Sequence, residues 1–343
     1  MSILIIGGAG YIGSHTVSHF LSQNEDVIII DNLQSGHLES VCLDCFYNID
    51  IRNKKELDLV FKNHSIEAVI HFAANSLVGE SMQQPYEYYH NNVYGLMCLL
   101  DVMRENKVGK IVFSSTAATY GEPISIPILE TDETNPTNTY GETKLAMEKM
   151  MKWFDKAYGI KYVSLRYFNA AGAHEDGLIG EAHNPETHLI PLILEVPLGK
   201  RKEIYIFGDD YATDDGTCIR DYIHVMDLAS AHFLALEYLR FDSSSEIFNL
   251  GNGNGYSVKE VIDVARKITG HEIPSVMKDR RSGDPAVLIA SSEKAKQKLG
   301  WKPRFENLEK IITDAWNWHK NNPDGYDQLG TCERNKHGDK LES

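Results

Sequence analysis

The chain has 343 residues, 42% of which are hydrophobic, and a formal net charge of −15. This length predicts about two domains with a substantial core, and the negative charge argues against a nucleic-acid partner because phosphate contacts require a basic face. The apolar runs are short and the chain enters a strand pattern at once, so we expect no signal peptide, membrane span or membrane partner. Five cysteines without a disulfide pattern fit a reducing compartment, and we expect a cytoplasmic protein.

The first predicted strand, residues 2–6, leads directly into the glycine-rich turn Gly7-Gly8-Ala9-Gly10-Tyr11-Ile12-Gly13. Glycines let the backbone approach a phosphate, and the N-terminus of the following helix presents free N–H groups to it. Glycines at this spacing also occur in plain turns, but a second predicted strand, residues 26–30, ends at Asp31, which is 18 residues after Gly13. A carboxylate there binds both ribose hydroxyls and repels the extra phosphate of NADP. The sequence therefore predicts that Gly7, Gly10, Gly13 and Asp31 bind NAD.

Two segments have a composition that is also found in metal sites. Cys42 and Cys45 would supply half of a zinc site, but no second Cys or His pair follows at ligand spacing. The acidic segment 209–216 lacks the alternating carboxylates and the terminal Glu of a calcium-binding EF-hand. We therefore predict two thiols near a strand, a solvated loop and no metal site.

Later strand patterns at 68–72, 110–113 and 162–166 alternate with helical patterns. This alternation predicts an α/β fold with a doubly wound, Rossmann-like parallel sheet, in which functional residues follow the carboxyl ends of the strands. After about residue 171 the composition changes, which predicts a smaller mixed α/β lobe, and segments such as 247–250 and 258–269 either return to the sheet or join that lobe. The predicted domains are a nucleotide-binding domain at 1–170 with returns around 217–250, a substrate lobe mainly at 171–330, and a polar tail at 331–343.

A tyrosine and a lysine four residues apart open a predicted helix, so that Tyr140 and Lys144 lie on one helix face. A lysine cation and the positive nicotinamide of NAD would both favour phenolate and bring the pKa of Tyr140 from about 10 towards neutrality, as a general base requires. The pattern alone also fits an ordinary amphipathic helix. The preceding strand, however, ends in hydroxyl residues at the predicted cofactor edge, where Thr116 would either hydrogen-bond the same substrate hydroxyl or only cap a turn.

Together these stretches resemble the UDP-glucose 4-epimerases of the extended short-chain dehydrogenase/reductase family. The resemblance extends over nearly the whole chain and implies a homodimeric enzyme that uses NAD to interconvert UDP-glucose and UDP-galactose through a 4-keto intermediate. The matching stretches are residues 7–15, 31–33, 71–74, 88–93, 140–144, 166–169, 220–225 and 280–284.

The resemblance also implies which residues bind the two ligands. Tyr140 and Thr116 would contact the sugar, and Arg220 and Arg281 would hold the diphosphate with forked donors. The implied cofactor residues are Tyr11, Ile12, Asp31, Asn32, Leu33, Gln34, Ser35, Gly36, Asp50, Ile51, Phe72, Ala73, Ala74, Asn75, Ser76, Asn91, Tyr140, Lys144 and Phe168. The implied substrate residues are Thr116, Tyr140, Asn169, His188, Leu189, Tyr205, Ile206, Phe207, Arg220, Arg281, Asp284 and Leu288.

Two positions affect what can be carried over from the family. Some members have lysine where this chain has Ser76, which implies one fewer positive charge near a phosphate. Leu288 lies at the pocket position where tyrosine excludes N-acetylated sugars and a small residue admits them. Leucine is intermediate in size, so the resemblance leaves open an alternative activity on UDP-N-acetylhexosamines or other UDP-sugars.

Particular residues also argue against two other functions for a protein of this fold. A nucleotide-sugar 4,6-dehydratase of this family would have an Asp-Glu pair after the threonine, where this chain has Ala117 and Ala118. A non-catalytic NAD-sensing protein would not need Tyr140, Lys144 and Thr116 together.

The implied homodimer would pair the helices around residues 92–106 and 140–154. The first of them carries an apolar stripe, Leu96, Leu99, Leu100 and Met103. Such a stripe is more typical of a helix that faces its own core, so the prediction of a dimer rests mainly on the resemblance.

Overall fold

A computed structural model of the chain describes residues 1–41, 43–241, 244–281 and 284–328. The predicted tail at 331–343, together with Cys42, Ser282, Gly283 and Cys332, lies outside the described residues. The strands are β1 (Ser2–Ile6), β2 (Val27–Asp31), β3 (Phe46–Asn48), β4 (Ile66–His71), β5 (Lys110–Thr116), β6 (Lys161–Tyr167), β7 (Asn169–Ala171), β8 (Ile204–Phe207), β9 (Ile219–His224), β10 (Glu246–Leu250), β11 (Gly255–Ser257), β12 (Ser275–Lys278) and β13 (Val287–Leu288). The helices are α1 (Tyr11–Ser22), α2 (Lys54–Asn63), α3 (Val78–Ser81), α4 (Pro85–Tyr88), α5 (Gly95–Glu105), α6 (Thr139–Tyr158), α7 (Leu189–Leu194), α8 (Val225–Phe241), α9 (Val258–Thr269), α10 (Glu293–Leu299) and α11 (Leu308–Asn321), with a π-helix at Tyr89–Tyr94 and 3₁₀ turns at Leu38–Ser40, Leu43–Cys45, Ala117–Thr119 and Gly325–Gln328.

The larger sheet has the strand order β10-β6-β5-β4-β1-β2-β3, and all neighbouring strands in it are parallel. All five residues of β1 are buried because helices cover both faces of the sheet. Helices α1 and α8 pack on one face, and α2, α5 and α6 pack on the other. The predicted doubly wound α/β fold is confirmed.

The strand before the candidate catalytic helix is longer than predicted. Residues 110–113 were expected, whereas β5 continues to Thr116 and stays paired with β6 up to the Thr116–Tyr167 position. The extension is possible because its polar side chains have buried partners: Ser114 bonds to the Tyr167 hydroxyl, and Ser115 donates to Glu148 at 2.6 Å. Thr116 is therefore the last of the three hydroxyl residues in which the strand was predicted to end.

A second body of structure contains two smaller sheets. The strand order β11-β9-β13, with β7 also paired to β9, forms one sheet, and β8 and β12 form the other. Helices α7, α9 and α11 share a core with these strands. β7 begins two residues after β6 ends, so the chain passes directly from the larger sheet into the second body. There β7 is paired with β9.

The two segments left open by the sequence have different locations. Residues 247–250 return to the larger sheet within β10, beside β6, whereas residues 258–269 form α9 in the second core. Helix α9 begins with a capping box between Ser257 and Glu260 and ends at Gly270, which has φ +70°. Among the described helices, none is long and apolar enough to cross a membrane.

Candidate functional site

In the turn between β1 and α1, the N–H groups of residues 7–10 have acceptors within the chain, so the N–H groups that can face a ligand are those of the first turn of α1. Gly7 has φ +76°, and a Cβ atom added to Gly13 would lie 2.1 Å from the Gly7 carbonyl oxygen. Helix α1 begins after Gly10, which has no side-chain cap, and its first turn contains no acidic residue. An uncapped helix N-terminus behind a turn that excludes side chains is suited to a phosphate anion.

Asp31 lies at the carboxyl end of β2, next to that turn. Its Oδ2 accepts a hydrogen bond from the Ala9 N–H at 3.0 Å, and its Oδ1 accepts one from the Leu33 N–H at 2.8 Å. Burial raises the pKa of Asp31, although these backbone donors oppose the shift. The glycine turn and the ribose-binding carboxylate predicted from the sequence are thus in contact, and they fit the pyrophosphate and ribose of a dinucleotide.

The next part of the predicted cofactor site is organised by an arginine that the sequence analysis missed. Arg52 holds the Asp50 carboxylate with Nε at 2.8 Å and Nη2 at 2.6 Å, and the Asn32 side chain donates to the same group at 3.2 Å. The hydrogen bond from Arg52 lowers the pKa of Asp50 to about 2. Asp50 therefore stays ionised and is held close to the loop after β2.

Hydrogen bonds between Asn92 and Asn75 fix the loop that follows β4. The Asn92 side chain accepts from the Asn75 N–H at 2.8 Å and donates to the Asn75 carbonyl at 3.1 Å and to Thr143 Oγ1 at 3.0 Å. Both Asn91 and Asn92 lie in the π-helix, a geometry often found at functional sites. The sequence analysis named Asn91 but missed Asn92, which connects the predicted cofactor loop to α6.

Helix α6 brings Tyr140 and Lys144 together as predicted. It begins after Asn138, whose side chain accepts from the Gly141 N–H at 2.9 Å. Lys144 Nζ donates to the Ser114 carbonyl at 2.8 Å and lies 5.9 Å from the centre of the Tyr140 ring. The lysine is thereby fixed between β5 and the tyrosine.

The structure shows the capping role that the sequence left open for Thr116, whereas its hydrogen bond to a substrate hydroxyl stays a prediction. Its Oγ1 accepts from the Ala118 N–H at 3.1 Å, which caps the 3₁₀ turn after β5. Its side chain also hydrogen-bonds Tyr140, and this bond lowers the pKa of the phenol. A bond that favours phenolate is one that the Thr116 hydroxyl donates to the phenolate oxygen, and such a bond is compatible with the one that Thr116 accepts from the Ala118 N–H.

The pKa values that the chain's own groups produce differ from the expectation for Tyr140. Burial raises the pKa of Tyr140 to about 12, and the Thr116 hydrogen bond only partly opposes this effect. Burial also lowers the pKa of Lys144 to about 7, opposed by the charge of Glu148. The same burial that raises the phenol pKa disfavours the ammonium form of Lys144, so in the chain without NAD the pKa of Tyr140 is not brought towards neutrality. That Lys144 and a bound nicotinamide together do so stays a prediction. The positive charge of a bound nicotinamide is the other contribution that the sequence analysis invoked.

Behind the catalytic strand lies a buried ion pair that the sequence analysis also missed. Arg166 on β6 binds Glu148 on α6 through Nε at 3.0 Å and Nη2 at 2.6 Å, and Ser115 donates to the same carboxylate at 2.6 Å. The guanidinium lies 4.8 Å from the centre of the Tyr120 ring. These contacts fix α6 against β5 and β6, and so fix the positions of Tyr140 and Lys144.

The predicted substrate residues form two neighbouring groups in the second body. Arg220 on β9 is ion-paired with Asp284, and Leu288 on β13 lies at the paired position beside it. The Arg281 guanidinium stacks on Phe207, 4.1 Å from the ring centre. The first group is joined to the larger sheet through Asn169 on β7, which is paired with β9.

The remaining predicted residues differ in what they can offer a ligand. His188 caps α7 and forms an ion pair with the buried Glu181, and Leu189 is the first residue of that helix. Burial alone would lower the pKa of His188, but the charge of Glu181 and its hydrogen bond raise it to about 9. The side chains of Ile206 and Ile51 are buried in the cores, so their backbone is what can face a ligand. The other predicted cofactor residues follow the carboxyl ends of β1, β2, β4 and β6. They are Tyr11 and Ile12 after β1, Gln34, Ser35 and Gly36 after β2, Phe72, Ala73, Ala74 and Ser76 after β4, and Phe168 between β6 and β7.

The chain is similar to known proteins in both sequence and fold. The model of the NAD dependent epimerase/dehydratase family matches residues 3–251. The UDP-glucose 4-epimerase of Halalkalibacterium halodurans is 64% identical over 95% of this chain and 98% of its own length. A crystal structure of a UDP-glucose 4-epimerase superimposes with a TM-score of 0.94 at 58% identity, covering 96% of this chain and 100% of that one. The UDP-glucose 4-epimerase from Bifidobacterium longum in complex with NAD+ and UDP has a TM-score of 0.89 at 40% identity, covering 95% of this chain and 100% of that one.

Proposed function

The chain belongs to the NAD dependent epimerase/dehydratase family, and we propose that it interconverts UDP-glucose and UDP-galactose through a 4-keto intermediate. The predictions of the family, of an epimerase and of NAD as its cofactor are confirmed by the family model and by relatives up to 64% identical. The observation that carries the mechanism is the contact of Thr116 with Tyr140 at the end of β5, beside Lys144.

Tyr140 is the base in this proposal. As phenolate it accepts the proton of the hexose 4-hydroxyl, while the hydroxyl of Thr116 donates to the phenolate oxygen and stabilises its charge. When bound, NAD would supply the hydride acceptor for carbon 4 and the hydride donor for its return. The 4-ketose, tethered by its nucleotide, would rotate in the pocket so that its opposite face receives the hydride. In the return step Tyr140 gives the proton back to the 4-oxygen, so the enzyme ends the cycle in its starting state.

The residues that would hold the cofactor divide by its chemistry. The N-terminus of α1, at the Gly7–Gly13 turn, would bind the pyrophosphate through backbone N–H groups. Asp31 would accept hydrogen bonds from the ribose hydroxyls of the adenosine half. Lys144, fixed by the Ser114 carbonyl, would bind the ribose on the nicotinamide side.

The second body would bind the UDP half of the substrate. Arg220 and Arg281 would supply the positive charge for a diphosphate in a chain with a net charge of −15. Asp284, which is ion-paired with Arg220, fixes the direction of that guanidinium. The related enzyme from Bifidobacterium longum binds UDP, which supports this assignment by similarity. A division into a cofactor domain at 1–170, with returns around 217–250, and a UDP-sugar lobe mainly at 171–330 is part of the proposal.

The alternatives from the sequence have less support. Ala117 and Ala118 follow Thr116 in a 3₁₀ turn, so no carboxylate stands where a 4,6-dehydratase of this family has its acid/base pair. The relatives of highest identity cited above are UDP-glucose 4-epimerases, which favours UDP-glucose over N-acetylated sugars as the main substrate.

Turnover of UDP-galactose by the purified protein, without added NAD, tests the proposal. UDP-glucose as the sole product is the expected result, and accumulation of a 4-keto-6-deoxy sugar would contradict it. Tyr140→Phe should lower turnover by about 10²–10⁴-fold while NAD stays bound, because it removes only the proton acceptor. Tyr158→Phe, an exposed tyrosine on the same helix, is the matched control and should leave turnover unchanged.

Two finer statements belong to the proposal, a homodimer and a cytoplasmic location. The stripe Leu96, Leu99, Leu100 and Met103 is buried in the chain's own core, so it is not the contact surface. Tyr94, Met97 and Trp153, on the π-helix, α5 and α6, are exposed and would form that surface instead. Met97→Glu should then shift the mass measured by light scattering from dimer to monomer, whereas Leu59→Glu on α2 should not. Fractionation of the native host would test the location.

A further inference from the structure

We propose that Glu181, His183, Glu186 and His188 bind one divalent transition-metal ion, and that zinc is the metal whose chemistry the site fits best. All four residues lie in the loop between β7 and α7. One ligand atom from each residue can be chosen so that all of them lie within 4.8 Å of one another. Two imidazole nitrogens and two carboxylate oxygens are donors that zinc accepts in a four-coordinate site.

Glu181 Oε1 contacts both imidazole nitrogens directly, so the donor atoms would have to separate to hold an ion between them. His183 Nδ1 is 3.1 Å from Glu181 Oε1 and 3.8 Å from Glu186 Oε2. His188 Nδ1 contacts Glu181 Oε1 and lies 3.8 Å from Glu186 Oε1. Zinc bonds of about 2.1 Å at tetrahedral angles place ligand atoms about 3.4 Å apart. Rotations of the side chains would therefore have to make room for the ion between them.

Contacts outside the cluster hold the ligands in place. Glu181 is 3% exposed, and its backbone carbonyl accepts from Trp318 Nε1 at 3.1 Å. Glu186 Oε1 accepts from the N–H groups of Thr187 and His188 at 2.7 and 2.8 Å. Outer contacts of this kind orient metal ligands and raise affinity. The loop is thus built to keep its four donors together.

The protein supplies all four donors, so the ion would be structural and would have no open position for a substrate. The ring of His183 lies 6.1 Å from that of Tyr11, next to the glycine turn. Glu181 is already paired with His188, and a dication between the ligands would add further positive charge on the side of the cluster that faces Tyr11. Metal bound at Nδ1 would also leave the proton of His188 on Nε2, as a donor to the sugar diphosphate. The role of that donor rests on the proposed function, whereas metal binding itself does not.

Zinc binding to the tag-free, full-length protein tests the proposal directly. After treatment with a chelator, the protein is titrated with Zn²⁺ in competition with a chromophoric chelator, and bound metal is counted by mass spectrometry. We expect one ion per chain. Glu181→Gln and His183→Ala should each bind zinc at least about tenfold more weakly. His271→Ala, a histidine that bonds only within its own segment, is the matched control and should bind like the unsubstituted chain.

Co²⁺ gives a second readout that does not depend on the variants. Tetrahedral Co²⁺ has intense visible absorption, whereas octahedral Co²⁺ is weakly coloured, so an intense band with one ion per chain is the expected result. No retained ion, weakly coloured Co²⁺, or zinc binding that both cluster variants leave unchanged would overturn the proposal and leave a hydrogen-bonded ion-pair cluster. Epimerase activity is assayed in parallel without added metal, so a failed metal site and a failed enzymatic assignment give different results.

Discussion

Replacing either member of the buried ion pair Glu148–Arg166 with methionine should destabilise the protein by about 3–5 kcal/mol, because the remaining charge is left in the interior without a partner. Both side chains are 4% exposed, and two hydrogen bonds join them. If the effects were independent, the double variant would lose about 6–10 kcal/mol. Instead it should lose only about 1–3 kcal/mol, mainly for the Ser115 hydroxyl that no longer has its acceptor.

Urea unfolding, followed by circular dichroism and tryptophan fluorescence, measures these free energies where both probes give one coincident transition. Arg104→Met, which removes an exposed pair with Asp101, is the matched control and should leave the free energy of unfolding nearly unchanged. The reasoning would be refuted if the double variant lost as much free energy of unfolding as the two single variants lose together. That result would show that the cost of each single substitution does not come from the unpaired charge that it leaves behind.

Three further predictions concern residues around the proposed active site. Thr116→Val removes the hydrogen bond that lowers the pKa of Tyr140, so turnover should fall by about tenfold and the rate profile should move to higher pH; an unshifted profile would contradict the assigned donor. Burial lowers the pKa of Lys144 to about 7 in the folded protein without cofactor. Between about pH 7 and about pH 10 the unfolded chain therefore binds more protons than the folded one. The free energy of unfolding should rise across that window by up to about 1.4 kcal/mol per pH unit. Urea unfolding should show that Lys144→Met loses this rise, and an equal slope in both proteins would be evidence against it. Asn92→Ala removes three hydrogen bonds to Asn75 and Thr143, so the NAD dissociation constant measured by calorimetry should rise by about tenfold, and an unchanged constant would show that the loop is held by other contacts.

The parts of the site predicted correctly are those whose chemistry is local. The glycine turn, the carboxylate at the end of the second strand, and the tyrosine and lysine on one helix face are each fixed by spacing within one element or two adjacent ones. The structure places the Gly7–Gly13 turn in contact with Asp31, and it places Lys144 beside Tyr140. No long-range contact was needed to predict these pairs.

Two of the missed interactions depend on residues that are not neighbours in the chain. Arg166 pairs with Glu148 only because β6 lies beside β5 under α6, and Asn92 reaches Asn75 across a π-helix. Read as sequence, each of these residues is an ordinary polar position. The Glu-x-His-x-x-Glu-x-His spacing at 181–188 was also passed over, since only a folded loop brings its four donors to one point.

The sequence by itself determined the α/β class, the glycine turn after the first strand and the shared helix face of Tyr140 and Lys144, because burial of apolar strands, backbone freedom at glycine and helical periodicity are set by neighbouring residues. The tertiary structure decided which protonation state each buried group prefers. The same environment raises the pKa of Tyr140 to about 12 and lowers that of Lys144 to about 7, opposite to the simple expectation for a tyrosine–lysine pair. The physical reason is desolvation, which depends on how completely the folded chain encloses a group and is not encoded in the spacing of the residues.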